Sequence, residues 1–228
     1  ELFDKIHQSA KAVAKAAKVK SGKEYIKIAG SLGPIVASYK PELVPSYEEC
    51  IYDYRKLVKV QQDGVDLFIC ETMSTIREAK ASVTAANESG LPSCVSFTLD
   101  DRNPFVLRSG ENLSEAIKEM KQLSVEAIMI NCSMPETVSQ ALPVLIGSFP
   151  KVGAYANAFQ SVESLRAGGT VESLKGRKDL TPDLYLDYAL KWLDMGASII
   201  GGCCEVGPRH IKAIHLELSK KGYLFEAI

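Results

Sequence analysis

Ala127-Ile128-Met129-Ile130-Asn131-Cys132-Ser133-Met134-Pro135-Glu136 passes from an unbroken apolar run, through a polar turn, into the start of a helix. Such a run suits a strand buried on both faces, the condition of a parallel sheet. Ser133 and Glu136 have capping-box spacing, in which each side chain satisfies a free amide at the helix start. The same succession recurs on both sides of this stretch. Apolar runs at Ile26–Ala29, Val65–Cys70, Cys94–Thr98, Val152–Tyr155 and Ala197–Ile200 predict further strands. Ser46 with Glu49 and Thr75 with Glu78 repeat the capping spacing. Thr181-Pro182 and Gly207-Pro208 put Pro at a first helical position, where its missing N–H costs nothing. Gly64, Gly90 and Gly196 fall between a helix and the next strand, where a left-handed residue commonly ends a helix.

Successive β-α units with this punctuation predict an α/β fold with a parallel sheet. An open doubly wound sheet and a closed (β/α)8 TIM-type barrel compete. The Gly-x-Gly-x-x-Gly turn that would favour the open sheet is missing. Glu71, Cys132, Asn157 and Cys203 all fall just after strand ends, and a barrel gathers such ends around one mouth. The expectation is therefore a barrel whose first two β-α units are absent from this chain. Ile6, Ala10, Val13 and Ala17 recur at helical spacing from the outset, so the sequence opens inside a helix, at Glu1.

No linker or low-complexity stretch divides the 228 residues, which predicts a single barrel domain over 1–228. The net charge of −1, with no basic stripe, argues against a nucleic-acid partner. The apolar runs are too short to span a bilayer, and no secretory leader is evident. Six cysteines in a chain of this size fit a reducing cytoplasm better than a disulfide scaffold.

Cys203 and Cys204 end the last strand run, after Gly201-Gly202. An adjacent pair has three readings: two small buried residues, a strained vicinal disulfide, or metal ligands. Cys132 moves the balance toward metal, because it follows another strand and should reach the same mouth. Three converging thiolates suit zinc and leave a fourth tetrahedral position open, the pattern of a catalytic site. An iron–sulfur cluster would want a fourth cysteine. Cys70 and Cys94 lie within or at the start of strands and Cys50 on a helix, all expected to be packing. His7, His210 and His215 fall on helical patterns and need no catalytic role.

Several pieces resemble the homocysteine S-methyltransferase family in order and spacing. They are Gly30-Ser31-Leu32-Gly33-Pro34, Glu71-Thr72, Ser96-Phe97-Thr98, Asn131-Cys132-Ser133, and Gly201-Gly202-Cys203-Cys204 followed by Gly207-Pro208. The resemblance implies a zinc ion (Zn2+) held by Cys132, Cys203 and Cys204, which turns the homocysteine thiol into a methyl-accepting thiolate. It implies that Glu71 binds the homocysteine ammonium group and that Asn157 lies near the substrate pocket. Otherwise Glu71 is a solvated capping carboxylate and Asn157 a structural residue. The family's Asp-Gly motif on the first barrel strand and its Thr-Asn motif on the second have no counterpart here. The compact form resembles members that take the methyl group from a small sulfonium donor, S-methylmethionine or S-adenosylmethionine. Tyr39 and Tyr155 are candidates to face that cation. The alternatives are a folate- or betaine-type homocysteine methyltransferase domain and a non-catalytic zinc-binding barrel fragment. A phosphate-binding aldolase or isomerase would want a Lys at a strand end, and none stands there. Oligomeric state is left open.

Overall fold

The computed structural model describes residues 2–226. Helix α1 (Leu2–Ser21) leads into strand β1 (Ala29–Leu32). Helix α2 (Tyr47–Gln61), strand β2 (Leu67–Met73), helix α3 (Ile76–Glu88) and strand β3 (Ser93–Phe97) follow. A short hairpin, β4 (Leu99–Asp100) with β5 (Asn103–Leu107), interrupts the alternation before α4 (Leu113–Met120). The alternation then resumes with β6 (Ala127–Asn131), α5 (Pro135–Ile146) and β7 (Val152–Tyr155). The last elements are α6 (Pro182–Met195), β8 (Ile199–Ile200) and α7 (Pro208–Lys220).

Six strands form one parallel sheet in the order β1-β2-β3-β6-β7-β8, and β4 pairs antiparallel with β5. The internal strands β3 and β6 are buried at every position, as their unbroken apolar character requires. Helices cover the sheet, and the main core runs between Phe68, Val95 and Ile130 on the strands and Tyr54, Leu142 and Trp192 on the helices. Among the described residues β1 and β8 do not pair with each other. They border a groove of about 490 Å³ whose lining includes Ala29, Ile69, Ile199 and Ile214. No described helix is long and apolar enough to cross a membrane.

The strands over 127–131 and 152–155 match their expected limits. β1 begins at Ala29, where the expected strand Ile26–Ala29 ends, because residues 26–28 run irregularly into the sheet. Ser46 and Glu49 form the expected capping box. Thr75 accepts from the Glu78 amide, but the Glu78 carboxylate turns away to accept from the Ile35 amide at 3.0 Å and the Tyr54 hydroxyl at 3.3 Å. Ser133 does not cap α5, which starts at Pro135 after Met134. Its hydroxyl instead accepts from the Leu99 amide at 2.9 Å and donates to the Asn131 carbonyl at 3.1 Å, tying β6 to the hairpin. Gly90 and Gly196 are left-handed, with φ of +78° and +113°, whereas Gly64 is not.

Candidate metal and substrate site

The ends of β6 and β8 bring three sulfurs together. Cys132 follows β6 directly, and its amide donates to the Tyr155 carbonyl at 3.3 Å. Cys203 and Cys204 follow β8 and hang on the end of β7: Cys203 N donates to Ala156 O at 3.0 Å, and Cys204 O accepts from Ala158 N at 2.9 Å. All three sulfurs lie within 4.8 Å of one another. Cys204 Sγ is 3.7 Å from Cys132 Sγ and 4.0 Å from Cys203 Sγ. The Cys132 and Cys203 sulfurs are in disulfide contact, their Cα atoms 5.7 Å apart. The disulfide weighed from the sequence was the vicinal one; the joined pair is instead Cys132 with Cys203.

Three sulfur ligands on one tetrahedral zinc sit roughly 3.7–3.8 Å apart, given Zn–S bonds of about 2.3 Å. Cys204 already stands at about that distance from Cys132. The surroundings also suit thiolates. Asn131 Nδ2 points a donor at Cys203 Sγ, 3.8 Å away. Burial raises the Cys204 thiol, and the Tyr39 hydroxyl works against that rise by favouring the anion. When reduced, this donor set fits a soft divalent ion with outer hydrogen bonds to its ligands. Cys50, Cys70 and Cys94 lie elsewhere in the core, where burial pushes their thiols up to about 11, 12 and 11. They are the inert packing residues expected.

Four non-glycine residues have left-handed backbones among the described residues: Tyr39, Thr72, Cys132 and Glu205. Three of them line the cavity beside the sulfurs, and Glu205 follows Cys204 directly. Such conformations are disfavoured for L-residues and concentrate where function constrains the chain. The cavity holds about 500 Å³ and is walled by Ser31, Gly33 and Pro34 on one side and by Leu165, Arg166, Gly168 and Gly169 on another. Glu71 lines it from β2, its carboxylate accepting from Ser31 Oγ at 2.6 Å and from Tyr155 Oη at 3.4 Å. Burial, and then the Glu71 charge, raise the Tyr155 phenol well above its ordinary value, so it stays a neutral donor.

Asn157 is buried behind the cysteine loop and does not line the cavity. Its Oδ1 accepts from the Phe159 amide at 3.2 Å, while Nδ2 has no partner. The two tyrosines proposed to face a cation are both engaged. Tyr155 points its hydroxyl at Glu71, and the Arg108 guanidinium lies 5.0 Å from the Tyr39 ring centre.

Sequence reasoning missed three supports of the site. Asn131 is fully buried; its Oδ1 accepts from Thr72 N at 3.0 Å and Ser96 Oγ at 2.8 Å, and its Nδ2 donates to Thr72 Oγ1 at 2.8 Å. Arg108 and Asp101, from the hairpin, form an ion pair at 2.8 Å behind Cys132. Arg108 Nε donates to Thr98 Oγ1, which in turn donates to the Cys132 carbonyl at 3.1 Å.

The sequence model of the homocysteine S-methyltransferase family matches residues 1–218. The chain is 27% identical over 166 residues to homocysteine S-methyltransferase 2 of Arabidopsis thaliana, covering 72% of the chain and 48% of that relative. It is 27% identical over 177 residues to selenocysteine Se-methyltransferase of Brassica oleracea var. italica, covering 76% and 49%. The chain thus spans about half the length of the curated relatives it matches. The metallated form of the homocysteine methyltransferase MmuM from Escherichia coli superposes with a TM-score of 0.73 at 25% identity, covering 95% of this chain and 70% of that one.

Proposed function

Because the chain belongs to the homocysteine S-methyltransferase family, we propose that it transfers a methyl group from a sulfonium donor, S-methylmethionine or S-adenosylmethionine, to homocysteine, giving methionine. The observation that carries this reading is the meeting of Cys132, Cys203 and Cys204 at one wall of a cavity that Glu71 also lines. In the reduced protein these three cysteines would hold a zinc ion. A zinc ion bound there would supply Lewis acidity that favours the thiolate form of a thiol substrate.

The protein's own groups do the rest. Glu71, held by Ser31 and Tyr155, takes the substrate ammonium group. Asn131 holds the Cys203 sulfur by a hydrogen bond, and the Tyr39 hydroxyl favours the Cys204 thiolate. Asn157, with an amide nitrogen still free, stands behind the loop that carries Cys204. The apolar cluster of Tyr39, Phe159, Val162, Leu165 and Leu174 packs against the cysteines. A sulfonium leaves as a neutral thioether, so the transfer asks for no general acid. Orientation of the two reactants is the main contribution left to the protein.

Residues 1–228 read as part of a single homocysteine-binding domain of barrel type. Two further β-α units filling the groove between β1 and β8 would bring the strand total to the eight of a closed barrel. The test is methionine formation by reduced, zinc-supplied protein given homocysteine and each donor separately. Turnover with S-methylmethionine or S-adenosylmethionine is expected. Turnover with betaine or a methylated folate alone would replace the donor, and none with any donor would defeat the reading.

A further inference from the structure

The cavity beside the sulfurs is lined by one carboxylate, Glu71, and one guanidinium, Arg166. Glu71 is already held by Ser31 and Tyr155. Arg166 makes no hydrogen bond or ion pair through its side chain with any described residue. Neighbouring arginines are engaged: Arg108 pairs with Asp101 at 2.8 Å, and Arg177 with Asp179 at 2.7 Å and Glu136 at 2.8 Å.

Arg166 sits on an exposed loop at the cavity rim, and that loop is tied down on either side of it. Leu165 is buried in the apolar cluster that includes the three cysteines, and its amide donates to the Val162 carbonyl at 3.1 Å. The Gly169 amide closes a turn on the Arg166 carbonyl at 2.9 Å. Gly168 occupies that turn with φ of +72°, a conformation that a side chain would strain. The loop therefore sets a planar, permanently charged fork at the cavity while leaving its donors unspent. Such a fork matches a carboxylate with two parallel hydrogen bonds.

We propose that Arg166 is a substrate-binding residue that pairs with the α-carboxylate of an amino acid bound in this cavity. This rests on the methyl transfer proposed above and deepens it. Both reactants of that transfer, homocysteine and an amino-acid sulfonium, carry such a carboxylate, and the test separates them.

Homocysteine is compared with its decarboxylated analogue, 3-aminopropane-1-thiol, by calorimetric binding to reduced, zinc-loaded protein. S-methylmethionine is compared with its decarboxylated analogue, dimethyl(3-aminopropyl)sulfonium, by kcat/KM. Arg166→Met is expected to weaken one carboxylate-bearing ligand about tenfold and its decarboxylated partner less than about twofold, the size of one partly exposed charged hydrogen bond. Arg166→Lys should recover part of the loss, since it keeps the charge without the fork. A selective loss in homocysteine binding identifies the acceptor; a selective loss in donor kcat/KM identifies the donor. Equal effects on both members of each pair, or no effect at all, would overturn the assignment. Should homocysteine bind but no donor support turnover, the methyl-transfer reading fails, and the donor arm is then decided by calorimetric binding of S-methylmethionine against its decarboxylated analogue.

Discussion

At the residue scale, Asn131 shows how much of the site depends on groups that never touch the cavity. It is fully buried, and its amide commits both ends to Thr72, Ser96 and Cys203. Asn131→Ala strands the Thr72 amide and frees the end of β2. It should cost about 2–4 kcal/mol in denaturant unfolding and weaken zinc about tenfold in chelator competition. Glu78 makes a separate prediction. Burial raises its carboxyl above the ordinary value, outweighing the hydrogen bonds from Ile35 and Tyr54, and Oε2 has no partner. A carboxyl raised on folding favours the protonated protein, so its stabilising effect is present at low pH and lost as pH rises through the raised value. Glu78→Gln should therefore gain stability over the parent at pH 8, with the gap closing toward pH 4, as urea unfolding at the two pH values would show. The cysteines were legible because few other residues are worth gathering at strand ends. Asn131 and Arg108 were not, since a polar side chain near a turn reads the same in sequence whether it meets water or a buried carbonyl.

The elements follow local chemistry closely where one signal dominates. Thr75 caps α3 by accepting from the Glu78 amide, so Thr75→Ala should cost about 1 kcal/mol in thermal or denaturant unfolding. The helix before β1 and the strands β6 and β7 needed only apolar spacing to be read. The hairpin β4–β5 escaped because Asn103 to Leu107 is short, contains Pro104 and is partly exposed. Its importance lies in what it carries, since Asp101 accepts from the Met134 amide at 2.8 Å and Arg108 reaches behind Cys132. Ser133 was misread for a related reason. Its spacing to Glu136 suits a cap, but Pro135 already fills the first helical position and frees the hydroxyl for Leu99.

For the whole molecule, the β-α order and the parallel pairing were legible because each unit announces its own strand and helix. Closure was not, because no residue of β1 or β8 specifies whether those two edges meet. In the sheet as it stands, β2, β3, β6 and β7 have neighbours on both sides while β1 and β8 have a free edge each. Amide hydrogen exchange should therefore be slowest across β3 and β6 and fastest at Ala29–Leu32 and Ile199–Ile200. Equal protection of the edge and internal strands would mean that those edges are covered in solution.

X-ray absorption at the zinc edge of the reduced, metal-loaded protein probes the gathered sulfurs most directly. One zinc per chain is expected, with three sulfur neighbours at about 2.3 Å and a fourth after homocysteine is added. Cys204→Ser should remove one of those sulfurs and lower zinc content. A zinc shell dominated by nitrogen or oxygen, or one that homocysteine leaves unchanged, would contradict the account.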